Sequence, residues 1–183
     1  MQKNMTLLVA AAFLSLTPLI SRTYADEPPS PHQRAQGFFA LRKVVGQEKD
    51  LNKLLIIKHP RKSIKTLLKR VAEVSTNLDK ELETWLEKEP SLKAENEGYP
   101  PIEKMTRANM ESGLTKSLLL SGGHNFEVRV LTAQIQATDY IMHILESLKN
   151  SEPNDQRKTR LNTAQKNYEK LNSEAYLLLG AKK

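Results

Sequence analysis

Pro60-RKSIKTLLKRVAEVSTNLDKELETWLEK-Glu89 is the stretch that decides the fold. Its apolar side chains, Ile64, Leu67, Leu68, Val71, Leu78, Leu82, Trp85 and Leu86, recur every third or fourth position. That interval stacks them on one flank of an α-helix. Ser75 is a polar gap in the stripe. Pro60 suits a helix start, where its missing N–H has no partner to lose, and Pro90 ends the run. A rod with one apolar flank must hide it against other rods, so the stretch predicts a helical assembly.

The neighbouring segments supply those rods. On the N-terminal side, His32 to Lys58 carries Ala35, Phe38, Phe39, Leu41, Val45, Leu51, Leu54 and Leu55 at helical spacing, with Gly46 weakening its middle. On the C-terminal side, residues 91–101 are polar and rich in Gly and Pro, as loops are. A shorter helix follows over 101–120, through Ile102, Met105, Leu114, Leu118 and Leu119, and Ser121-Gly122-Gly123 reads as a turn. Asn125 is the expected N-cap of a helix to Lys149. That helix has one seam through Phe126, Val130, Ala133, Ala137, Ile141, Ile144 and Leu148, and a second through Leu131, Ile135, Met142 and Leu145. From Pro153, Leu161, Ala164, Tyr168, Leu171, Ala175 and Leu178 repeat in a three-four pattern, with Gly180 as the stop and Lys182 and Lys183 beyond it. The expectation is all-α: an antiparallel four-helix bundle, with the shorter helix either extending the fourth segment or packing at one end.

The first residues read as an export signal. Lys3 precedes an apolar run from Leu7 to Ile20, and Thr23-Tyr24-Ala25 offers a small-residue cleavage site before Asp26. This divides the chain into a signal peptide (1–25), an extended Pro-rich leader (26–34), a helical domain (35–179) and a tail (180–183). The expected location is periplasmic or secreted. The sequence has no Cys, so disulfides, thiolate metal sites and a lipid-bearing Cys are excluded. Removing residues 1–25 takes away Lys3 and Arg22 and leaves 26 basic against 21 acidic residues, a net charge of +5. The excess gathers at Lys58, Arg61, Lys62, Lys65, Lys69 and Arg70. No aromatic residue is interleaved there, which argues for a solvated face over a nucleic-acid site. An anionic envelope surface is the candidate partner for those cations, and a second copy of the chain is another candidate.

Motifs for chemistry are sparse. GxGxxG, GxxxxGK[ST] and GxSxG are all absent. No Glu-x-x-His pair, the carboxylate-metal spacing of helical bundles, precedes any of the four histidines. The remaining constellation is Asp139 with His143, one turn apart on a helix, with Glu127 earlier and Glu48, Asp50 and Glu73 on neighbouring segments. It is the weak candidate for a metal site, set against a surface hydrogen-bonded pair. Trp85, Tyr140, Tyr168 and Tyr176 read as core rather than as a ligand box. Gln134, close to an apolar seam, is expected to bond across the helices.

The run Leu120-Ser121-Gly122-Gly123-His124-Asn125-Phe126-Glu127, continuing to Gln134-Ile135, resembles the Leu-Ser-Gly-x-x-Phe-Asp…Gln-Val segment of an exported, ferritin-like bacterial family, domain of unknown function 4142. The layout of residues 35–179 is similar to that family's as well. The resemblance implies a ferritin-like fold and export. It also implies lost metal positions: the family's Asp-His pair falls at Val74-Ser75, and its later His falls at Thr138. The expected function is therefore a non-enzymatic exported bundle without a cofactor, acting by binding or as an envelope-associated structural protein. The alternative is a ferritin-like metal or redox protein with a diverged site.

Overall fold

A computed structural model describes residues 29–95 and 98–181. The expected signal peptide, Lys182 and Lys183 lie outside the described residues. The elements are α1 (Pro31–Lys49), α2 (Leu51–Ile57), α3 (Lys62–Lys88), a 3-10 turn (Pro90–Leu92), α4 (Pro101–Leu120), α5 (Gly123–Ser151) and α6 (Asp155–Gly180). The protein is all-helical, with no strand among the described residues.

Cross-helix bonds give the directions. Arg42 reaches Glu83 while Lys49 reaches Asp79, so α1 and α3 are antiparallel. Arg160 meets Glu81 and Arg70 meets Glu174, so α3 and α6 are antiparallel. Lys149 meets Gln165 and Asn172 meets Thr138, so α5 and α6 are antiparallel as well. α1 packs on α3 and α5, and α6 packs on the same two, which closes a ring around one apolar interior. Phe38, Leu41, Ile64, Leu68, Leu82, Leu131, Ile141, Leu145, Leu161 and Tyr168 fill it. α3 and α5 therefore run the same way, and the chain returns from the end of one to the start of the other through the 93–100 segment and α4.

Several boundaries differ from the sequence reading. Ser30 caps α1, accepting a bond from the Gln33 N–H while Gln33 Oε1 accepts from the Ser30 N–H, so residues 31–34 are helical and the extended leader is shorter than expected. The first predicted helix is two helices. It continues through Gly46 and breaks at Asp50, whose backbone takes the bridge conformation (φ −85°, ψ 0°) and whose carboxylate holds Lys53 at 2.7 Å. α5 begins at Gly123, capped by Gly122, so Asn125 lies inside the helix. Asn154, rather than Pro153, opens α6: its side chain accepts from the Arg157 N–H at 2.9 Å.

α4 neither extends α5 nor caps an end. It lies alongside α5, with Arg129 donating to Ser117 Oγ at 2.7 Å near one end and Tyr99 OH 3.2 Å from Tyr140 OH near the other. No α4 residue is buried, and Ile102, Met105 and Met110 face solvent.

The core face of α5 takes Phe126, Val130, Ile141 and Leu148 from one predicted seam and Leu131, Ile135 and Leu145 from the other, with polar residues between them. Glu127, Leu131, Gln134, Thr138, Ile141, Leu145 and Leu148 are buried, whereas Ala133 and Ala137 are half-buried. Polar residues occupy three of those seven places because each finds a partner inside.

Candidate functional site

The suspected metal residues do not converge. Asp139 Oδ1 accepts from Asn172 Nδ2 at 3.0 Å. His143 is exposed, and its Nδ1 lies 3.9 Å from Glu146 Oε2. Glu127 is held at the far end of α5 by Arg61, whose backbone N–H donates to Oε1 at 2.8 Å. Of the acids placed on neighbouring segments, Asp50 pairs with Lys53 and Glu73 is exposed; only Glu48 is interior. No group of three His, Asp or Glu side chains suited to a metal ion occurs among the described residues.

The aromatic residues do not form a cluster either. Trp85 packs edge-on against Phe38, with ring centroids 6.3 Å apart. Tyr168 is fully buried, whereas Tyr140 and Tyr176 are exposed.

The structure instead gathers polar side chains in one interior layer, one from each long helix: Glu48, Ser75, Gln134 and Tyr168. Ser75 Oγ and Tyr168 OH are 2.8 Å apart. Glu48 is buried beside Gln134, and no cation among the described residues pairs with it. Burial pushes its carboxyl up to about 7, partly offset by a hydrogen bond with the Gln134 side chain. Burial likewise pushes the Tyr168 phenol up, with the nearby Glu48 charge adding to the shift. Glu48 Oε2 and Gln134 Oε1 have no hydrogen-bond partner among the described residues. One proton on Glu48 gives it a donor in place of one of these two orphan acceptors, so the interior favours the neutral acid. Gln134 is thus buried, as expected. Ser75 and Thr138 are interior too: Thr138 Oγ1 donates to the Gln134 backbone carbonyl at 2.7 Å and accepts from Asn172 at 2.8 Å.

Glu48 was legible as a core position. Phe38, Leu41, Val45 and Glu48 follow the three-four spacing without a gap. The sequence reading takes Glu48 instead only as an acid that could face Asp139 and His143.

The two ends of the ring differ. One end is closed by ion pairs. Arg157, itself buried, contacts Glu152 at 2.8 Å and Glu89 at 2.8 Å and lies 5.9 Å from the Phe38 ring centroid, while Arg34 adds a contact to Glu89.

The other end holds the starts of α3 and α5 and the ends of α2, α4 and α6. Lys58 Nζ donates to the Leu119 and Ser121 carbonyls, each at 2.7 Å, and sits 5.7 Å from the Phe126 ring centroid. Arg61 donates to the Leu178 carbonyl at 2.6 Å and contacts Glu127. Two of the six predicted cations thus tie this end together, and Arg70 pairs with Glu174. Lys62, Lys65 and Lys69 are exposed, with no ion-pair partner among the described residues. Lys116, His59 and His124 are exposed at the same end. A cleft of about 360 Å³ opens there, between Arg61, His124, Glu127, Val128, Leu178 and Leu179.

Compared with known proteins, the chain matches no family model, no curated protein and no solved structure.

Proposed function

We propose that this is a non-enzymatic, exported protein of the four-helix-bundle type, ferritin-like in its layout, that acts by binding an anionic envelope surface through its basic end. The observation that carries the binding reading is the row of exposed cations, Lys62, Lys65 and Lys69, with no ion-pair partner among the described residues, beside a lysine and an arginine that hold that end together. An exposed row of like charge is a standing attraction for a polyanion. The bundle layout is supported by the ring of antiparallel contacts and by the long return between α3 and α5, the single crossover of ferritin-like folds. Export rests on the sequence pattern from Lys3 to Ala25.

Binding to immobilised polyphosphate tests the surface. The wild-type chain is expected to be retained and released by salt, because exposed charges are screened within about 8 Å at physiological ionic strength. The triple variant Lys62→Glu, Lys65→Glu, Lys69→Glu is expected to flow through. Retention unaffected by salt or by the triple variant would reject the reading. Elemental analysis addresses the competing metal or redox reading built on Asp139, His143 and Glu127. The binding reading expects no stoichiometric metal in protein purified from its own compartment.

A further inference from the structure

We propose that the basic end is a membrane-surface docking face, seated on a bilayer that carries anionic phospholipid, with Ile56, Ile57 and Leu120 entering the interface. This rests on the reading of that end as the binding surface and names its partner.

Charge alone would suit any polyanion; the apolar side chains decide. Ile56 is 77% exposed, Ile57 63%, Leu120 77% and Leu177 74%, all on the elements that finish at this end. A phosphate polymer offers nothing apolar to meet them. The boundary between headgroups and acyl chains does, and it is where a surface-lying protein buries such side chains. Lys58 fixes the arrangement. Its bonds to the Leu119 and Ser121 carbonyls clamp the end of α2 against the end of α4, so Ile57 and Leu120 are each one residue from a clamped atom.

Around them stand His59, Lys62, Lys65 and Lys116, all exposed. The acids nearest this end, Asp50, Glu127 and Glu174, are each ion-paired, with Lys53, Arg61 and Arg70. An apolar tip ringed by cations complements an anionic interface. A second copy of the same end would set like charges face to face. The opposite end is closed by Arg157 with Glu152 and Glu89. No helix among the described residues is long and apolar enough to cross a membrane, so the contact proposed for them is peripheral.

Co-sedimentation of the purified protein with vesicles tests this, comparing mixed phosphatidylglycerol–phosphatidylcholine with pure phosphatidylcholine, and with polyphosphate binding as a second readout. The expected result is binding to the anionic vesicles only, weakened by salt. Ile56→Ser with Ile57→Ser is expected to lower vesicle affinity roughly tenfold or more, from the apolar area no longer buried, and to leave polyphosphate binding intact. Both side chains are exposed, so helicity by circular dichroism should not change. Lys62→Glu with Lys65→Glu should weaken both readouts. Polyphosphate binding without vesicle binding would overturn the inference and spare the binding reading; loss of both would remove the two together. Wild-type vesicle affinity in the isoleucine variant would also overturn it. So would a dimer that this variant converts to monomer, because the occupant would then be a second copy.

Discussion

At the residue scale, Glu48 has the largest consequence. Its carboxyl is raised to about 7 in the folded protein from an ordinary 4.5, chiefly by burial. Between those values the folded state holds a proton that the unfolded chain has released, so stability falls as pH rises through that window and levels off above it. The contribution is fully present below about 4.5, and the amount lost is on the order of 3 kcal/mol. Glu48→Gln keeps the shape without the titration. The variant should match wild type near pH 4 and exceed it by roughly that amount above pH 8 in urea unfolding. A wild-type-minus-variant difference that stays flat with pH would show that Glu48 does not hold the proton. Ser75 and Tyr168 offer a second check. Tyr168→Phe leaves Ser75 Oγ buried without its 2.8 Å partner, at a cost of about 1–3 kcal/mol. Pairing it with Ser75→Ala should recover part of the loss.

At the element scale, α4 and α3 are opposites. α3 buries nine residues along its flank, whereas α4 buries none. Helices of ordinary length owe most of their stability to packing rather than to propensity. The α4 amides are therefore expected to exchange with deuterium well before those of α3 and α5, by local opening. Gly113 has open space where a Cβ would stand. Gly113→Ala should stabilise α4 by up to ~1 kcal/mol, slowing its exchange about fivefold while barely moving global unfolding. Equal protection of α4 and α3 in the wild type would contradict this account of α4. The break at Asp50 was hidden for a related reason. Apolar spacing continues across it through Leu51, Leu54 and Leu55, so periodicity carries no mark of a backbone turning at one residue.

At the scale of the whole molecule, two ends built from similar residue types do different things. Arg157 is buried against Glu152, whose side chain is fully enclosed. Arg157→Met would strand that carboxylate, and breaking a buried pair in this way costs about 3–5 kcal/mol. Arg157→Met with Glu152→Gln should regain most of it in thermal unfolding. A single variant as stable as wild type would show that the pair does not close the end. The export reading makes a prediction at this scale too: the protein recovered from outside the cytoplasm should begin at Asp26 on N-terminal sequencing. An intact Met1 would reject cleavage.

Periodicity alone was enough to specify helices at α3, α4, α5 and α6 and most of the buried faces of α3, α5 and α6, because a three-four repeat of apolar side chains has one geometric solution; the apolar positions it marked on α4 are not buried. The absence of Cys and of phosphate-binding glycine loops could also be read directly. Which polar residues go inside could not be read. Glu48, Gln134, Thr138 and Arg157 are buried because partners from other segments, or a proton, offset the desolvation, and those partners lie as far away along the chain as Glu48 is from Gln134. The unequal ends were likewise invisible in one dimension. Lys58, Lys116, Ile57 and Leu120 become one surface only when α2, α4 and α6 finish at the same level, a distance set by packing rather than by sequence neighbourhood.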